Sequence, residues 1–256
     1  MAFDTGAAFL IKPAAKEPVL SLQELAFEVD LLLVFGGDGT ILRVAREAAG
    51  CSAPLLGINT GRLGFLSAIT TSELPEAVEK LWSGQYELET RPLIEATVPA
   101  ASRNAALTAL NEFVIGRGDV SRIIEVGVSV DGQELTRYRG DGLIVSSPTG
   151  STAYSLAAGG AIVSPNANVF ALTPICPHAL SNRTVIVSLD SVVRVDILST
   201  KLTTMLSADG QLREILEPGS YVEIRRSKDS VRLVRLEGSS FFKTLRQKLQ
   251  WRGASV

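Results

Sequence analysis

The chain is poor in the residues that many enzymes use to hold metals and relay protons. Its 256 residues include one histidine, His178, and two cysteines, Cys51 and Cys176. That scarcity excludes a His-rich metal centre, a Cys-rich zinc site and a disulfide framework. It also leaves a Ser-His-Asp hydrolase with only His178 to use. An excess of basic charge is missing too: 25 Lys+Arg against 27 Asp+Glu leave a net charge of −2, which argues against a nucleic-acid partner. No run approaches the ~20 apolar residues that cross a bilayer, so neither a spanning helix nor a membrane partner is expected. The first residues, MAFDTGAAFLIKPAAKEP, carry no basic group ahead of their short apolar run, which Pro13 interrupts, and so do not resemble a secretory signal. The cysteines stand 176 − 51 = 125 positions apart. Without such a signal they fit the reducing cytoplasm, each as a small buried hydrophobe.

What the chain has is glycine, 22 residues of it, and an apolar fraction of 46%. The first third alternates strand and helix, which implies a Rossmann-like parallel sheet covered by helices. Val29 to Phe35 reads as a strand, and Ile41, Leu42, Val44, Ala45 and Ala48 recur at helical spacing up to Gly50. Pro54 to Asn59 reads as a second strand. Leu74, Ala77, Val78 and Leu81 mark an amphipathic helix with Thr70 and Glu73 as a capping box. Beyond Arg91 the period shortens to two. Ile124 to Val130, Val193 to Ile197, Val222 with Ile224, and Val231 with Leu233 read as separate strands, and Asp131-Gly132 and Asp209-Gly210 as hairpin turns. These strands suggest an antiparallel sandwich or barrel, and of the two the sandwich is the expectation. Phe242, Leu245 and Leu249 return to helical spacing. The expectation is an α/β lobe over 1–90, a β-rich lobe over 91–240, and a terminal helix within 241–256 that packs back on the first lobe.

Three segments carry chemistry. Gly36-Gly37-Asp38-Gly39-Thr40 lies between a strand and a helix, where backbone amides and the helix dipole favour a phosphate. It lacks the lysine of a Walker A loop and the third glycine of a dinucleotide fingerprint. A carboxylate in such a loop repels the ligand unless it takes a proton or meets a cation, although a turn aspartate capping a helix from Ile41 is an equal reading. Arg139-Gly140-Asp141-Gly142 leads through Leu143-Ile144-Val145 into the hydroxyl-rich Ser146 to Tyr154, a second polar platform or an ordinary helix cap. Asn111-Glu112 offers an amide and a carboxylate to a base edge or to hydroxyls, or lies at an exposed strand edge. His178, in Pro177-His178-Ala179-Leu180, reads as a structural histidine, and Trp82 and Trp251 as packing residues.

GGDGT at 36–40, NTGRLGF at 59–65, LNE at 110–112, RGDGLIVSSPTGSTAYSLAAGG at 139–160 and LTPICPHALSNR at 172–183 occur in this order, and the set closely resembles the NAD kinases. GGDGT alone is shared with lipid kinases and phosphofructokinases, whereas the 139–160 block is specific. The resemblance implies an α/β lobe, a β-rich lobe, NAD bound between them, and transfer of the γ-phosphoryl of ATP, or of another donor, to the 2′-hydroxyl of the adenosine ribose. It implies Mg²⁺ or another divalent cation accompanying ATP, with no metal-ligating residue assigned, and a homodimer or homotetramer. It makes Asp38 the catalytic group, with Gly37, Gly39 and Thr40 shaping the phosphate loop. By the same resemblance Asn111 reads adenine and Glu112 holds ribose hydroxyls. Asp141 and Ala153 meet the nicotinamide end, while Thr149, Thr152 and Tyr154 line the adenine and ribose pocket. Arg43, Arg139 and Asp209 complete the nucleotide-binding set. Ala157 stands where relatives carry serine, Thr184 where they carry proline at a turn, and Phe9-Leu10-Ile11 is the one candidate strand in a short N-terminal unit. A kinase of lipids or sugar phosphates and a non-catalytic nucleotide sensor are the competing readings.

Overall fold

A computed structural model describes residues 1–12, 17–61, 64–99, 106–118, 123–179, 181–200 and 202–251. The chain divides into two compact units, Met1–Arg91 with Asp229–Val256, and Pro92–Lys228. Two long strands carry the chain across these boundaries.

The first unit opens with β1 (Phe3–Asp4), α1 (Thr5–Ile11), β2 (Val19–Leu20) and α2 (Leu22–Glu28). Phe9-Leu10-Ile11 is therefore helical, not a strand. Asp4 accepts from the amides of Ala7 at 2.8 Å and Gly6 at 3.3 Å, and this cap starts a helix through Ala7 and Ala8 before the β-prone residues are reached. Then follow β3 (Leu32–Phe35), α3 (Asp38–Glu47), β4 (Leu55–Asn59), β5 (Ile69–Thr70), α4 (Leu74–Trp82) and β6 (Tyr86–Thr97). Strands β3, β4 and β5 run parallel, with Leu32 opposite Leu55 and Ile58 opposite Ile69. Helix α3 buries Ile41, Leu42, Val44 and Ala45. Thr70 and Glu73 form the expected capping box, at a 3-10 turn that leads into α4. Trp82 is 88% exposed and Trp251 54% exposed, so neither is a packing residue. Trp82 lies five positions from the buried Ala77, about 140° around the helix, on the opposite face.

The second unit holds β7 (Leu107–Ala109), β8 (Glu112–Arg117), β9 (Ile124–Val130), β10 (Gln133–Gly140), β11 (Gly142–Ser146), α5 (Tyr154–Ala157), β12 (Val169–Ile175), β13 (Val185–Ser188), β14 (Val193–Ile197), β15 (Thr204–Ala208) and β16 (Leu212–Leu216). One antiparallel sheet has the order β13-β12-β11-β8-β15-β16. Against it pack β9, β10 and β14. The shared core holds Phe113, Ile115, Leu143, Val145, Phe170 and Leu206 from one sheet, and Val126, Val128, Val193 and Val195 from the other. Alternation of these side chains with polar ones builds a sandwich. Asp131 and Gly132 (φ 51° and 78°) are both left-handed, as the two-residue hairpin between Val130 and Gln133 requires, and Asp209 and Gly210 (φ 48° and 67°) are left-handed too, in a three-residue connection between Ala208 and Leu212.

The chain returns through β17 (Tyr221–Leu236) and α6 (Phe241–Lys248). Sequence periodicity suggested two strands here, but they are one. The buried face shifts by one residue at the exposed pair Arg225-Arg226, so that Ser227, Val231 and Leu233 are buried out of phase with Val222 and Ile224, but no glycine or proline breaks Arg225 to Ser230 and the strand runs on. The start of β17 pairs antiparallel with β14, and Leu233 pairs parallel with Leu55 of β4. In the first unit Val234 and Leu236 join Leu56, Ile58, Ile69 and Ala77 in the core. Helix α6 packs back on that unit, with the ring of Phe241 centred 6.4 Å from that of Phe65.

Candidate functional site

In the first unit the glycine loop closes β3 and opens α3. Gly36 has no room for a side chain, since a Cβ there would sit 2.4 Å from the Thr40 hydroxyl. Gly37 is the N-cap and offers no side chain, so the helix begins at Asp38 and not at Ile41. The capping role considered for Asp38 is thereby excluded. Its carboxylate instead accepts from the backbone amides of Phe65 at 2.8 Å and Leu66 at 3.2 Å. Gly39 and Thr40 follow in the first turn. Arg43, further along α3, forms an exposed ion pair with Glu47 at 3.4 Å.

In the second unit Asp209 organises the segment Leu110-Asn111-Glu112. Its carboxylate accepts from the amides of Leu110 at 3.1 Å, Asn111 at 2.8 Å and Glu112 at 3.2 Å, and its own amide donates to the Glu112 carbonyl at 3.0 Å. On the other side, the Ser147 amide donates to the Asn111 carbonyl at 2.8 Å, and the Ser147 hydroxyl donates to the Leu110 carbonyl. With its amide and carbonyl both engaged, Asn111 has its side-chain amide left for a ligand. Gly150 completes the packing: a Cβ on it would lie 2.3 Å from the Asn111 carbonyl oxygen.

Asn111 and Glu112 are buried, and β8 lies between β11 and β15, so the exposed-edge reading fails. Glu112 is 6% exposed, and its Oε2 has no hydrogen-bond partner. Desolvation first, and the Asp209 charge second, push its carboxyl up to about 8. At neutral pH it therefore carries a proton and can donate as well as accept.

The remaining second-unit candidates divide. Thr149 and Thr152 belong to the 3-10 turn after β11, where the Thr152 hydroxyl donates to the Thr149 carbonyl at 3.3 Å. The Ala153 amide closes that turn on Gly150 at 2.8 Å, and Tyr154 is 45% exposed. Asp141 pairs with Arg117 at 3.2 Å, while exposed Arg139 pairs with Glu125 at 3.7 Å. Thr184 does more than fill a turn: its hydroxyl lies 3.2 Å from that of Thr173, which in turn lies 2.9 Å from that of Ser155. His178 is exposed, its backbone amide donating to the Arg139 carbonyl at 2.8 Å. Cys176 is exposed and Cys51 half-buried, against the expectation of burial for both, because Cys176 lies in a turn with φ 44°. Sequence reasoning passed over Ser147, Gly150 and Gly64. For Ser147 the only signal was its hydroxyl-rich surroundings.

Comparison with known proteins bears on both units. Residues 12–86 match the model of the ATP-NAD kinase N-terminal domain, and residues 110–236 that of the C-terminal domain. The NAD kinase of Syntrophotalea carbinolica is 45% identical over 224 residues, covering 87% of this chain and 79% of its own. That of Chlorobium luteolum is 40% identical over 249 residues, covering 97% and 86%. Among solved structures, yeast NADH kinase complexed with NADH superposes with a TM-score of 0.87 at 28% identity, covering 99% of this chain and 79% of that one. An NAD kinase from Archaeoglobus fulgidus in complex with ATP gives 0.78 at 29% identity, covering 99% and 100%.

Proposed function

Because the chain belongs to the ATP-NAD kinase family and is an NAD kinase, we propose that its Asp38 accepts, or holds in line, the proton of the 2′-hydroxyl on the adenosine ribose of NAD while the γ-phosphoryl of ATP is transferred there. The observation that carries this reading is the Asp38 carboxylate, fixed by two backbone amides in the first turn of the phosphate-type loop. Phosphoryl transfer demands chiefly positioning and charge stabilisation, and an oriented carboxylate with helix-terminal amides suits it. Gly37, Gly39 and Thr40 shape the phosphate end. Asn111 reads the adenine edge through its free amide, and Glu112 donates to and accepts from ribose hydroxyls. Thr149, Thr152 and Tyr154 line the nucleoside pocket, with Ala153 and Asp141 at the nicotinamide end. Arg43 and Arg139 contribute charge from exposed positions.

A divalent cation fits this chemistry as part of the donor. Among the described residues no three His, Cys, Asp or Glu side chains cluster as a protein cage. Mg²⁺ commonly uses one or two carboxylates together with substrate phosphates, and Asp38 is the carboxylate in the loop that would face it. When bound, the ion neutralises phosphate charge.

The enzyme assembles as a homodimer or homotetramer in the cytoplasm. Supporting this are the exposed Leu212 and Ile215 on edge strand β16, Ile186 on the opposite edge strand β13, and the two free thiols. Light scattering on the purified protein tests the assembly, and a monomer overturns it. The activity is tested by mixing the protein with ATP, Mg²⁺ and NAD and following product with an NADP-specific dehydrogenase. NADP accumulation supports the reading, and background-level signal defeats it.

A further inference from the structure

We propose that the turn Gly64-Phe65-Leu66 is the positioning device for Asp38, and that residue 64 must be glycine because the Asp38 carboxylate occupies the place of its missing side chain. The inference rests on the role of Asp38 given above. A Cβ on Gly64 would lie 1.9 Å from Oδ1 of Asp38, 2.3 Å from its carboxyl carbon and 2.5 Å from Oδ2. All three nearest atoms belong to that one carboxylate. The two residues that follow supply the holding contacts. Phe65 donates its amide to Oδ2 at 2.8 Å and Leu66 to Oδ1 at 3.2 Å. One amide on each oxygen fixes the rotation of the carboxylate as well as its location.

The turn is itself held from behind, within the same unit. The Phe65 carbonyl accepts from the Arg235 guanidinium at 3.3 Å, and the Nε of Arg235 donates to Glu89 at 2.8 Å. Glu89 also pairs with Arg91 at 2.9 Å. The Phe65 ring lies against Phe241, with the Lys248 ammonium 5.8 Å from its centroid. Strands β6 and β17 and helix α6 thus brace the turn that aims Asp38. Gly64 touches no reacting atom and acts through that carboxylate alone.

A double-mutant cycle tests this with Gly64→Ala, Asp38→Ala and the pair together, measuring NADP formation and urea unfolding for each. Gly64→Ala lowers kcat about 10²-fold, the scale of an ångström-sized misplacement, with KM for NAD unchanged. It also lowers the unfolding midpoint. In the Asp38→Ala background, where the carboxylate is gone, the same substitution changes neither rate nor midpoint. Should Gly64→Ala fail to fold, the double variant folds as Asp38→Ala does. A Gly64→Ala enzyme with normal kcat, penalties that add in full across the two backgrounds, or a double variant less stable than Asp38→Ala overturns the proposal. If Asp38→Ala turns over normally, the role of Asp38 falls instead, and the unfolding half of the cycle still decides the contact between residues 64 and 38.

Discussion

Glu112 is a buried acid whose proton affinity is set by its surroundings, and the sign of its effect can be worked out. Below its ordinary 4.5 the carboxyl is protonated in both folded and unfolded chains. Between 4.5 and about 8 only the unfolded chain releases the proton, so the folded state loses ground as pH rises, and above about 8 the loss levels off. Glu112→Gln removes this slope. Urea midpoints measured from pH 5 to 9 should show the variant gaining on the wild type with rising pH, by on the order of a few kcal/mol at the alkaline end. Glutamine is also the isostere of the protonated acid, so the KM of the variant for NAD should stay flat through pH 8, where that of the wild type rises. Parallel midpoints would show that Glu112 is ionised in the fold. None of this was legible in the sequence. The pair Asn111-Glu112 stood out, but burial of Glu112 and its closeness to Asp209, 97 positions away, arise only when β8 and β15 pair.

At the scale of elements, the β15–β16 hairpin does two tasks with one residue. Asp209 adopts the left-handed turn conformation and pins the start of β8 by three amides. Asp209→Ala leaves those amides without their acceptor and places alanine at positive φ, so unfolding stability should fall by about 2–4 kcal/mol. KM for NAD should rise more than kcat falls. Asp209→Asn keeps one acceptor oxygen and tolerates the turn, so it should lose less of each. Equal losses for the two variants would contradict this division of labour. The hairpin itself was readable, because Asp-Gly between alternating apolar runs signals a tight turn, and the carboxylate network was not. The same contrast recurs elsewhere. Periodicity located β9 and β14, but could not tell that β17 continues through Ser227, since continuity depends on which strands lie beside it. Helix α1 overrode its β-prone residues through the Asp4 cap, a contact of three positions' range.

For the molecule as a whole, the sparse set of metal-ligating side chains becomes a positive expectation. On the proposed reading a divalent ion arrives with the nucleotide donor, and among the described residues no three His, Cys, Asp or Glu side chains cluster. Chelation with EDTA should therefore abolish turnover while leaving the thermal midpoint unchanged, and excess Mg²⁺ should restore it. A midpoint that drops on chelation would reveal a resident structural ion. The fold class was legible throughout, from strand-helix alternation in the first unit and period-two strands in the second.

The most direct measurement is the rate of NADP formation from ATP and NAD by the wild-type protein and Asp38→Asn side by side, with NAD affinity determined for both. The wild type should form NADP and the variant should do so at least ~10²-fold more slowly, the usual scale for loss of a general base, while still binding NAD. Absence of NADP with the wild type, or near-normal turnover by Asp38→Asn, would contradict phosphoryl transfer through Asp38.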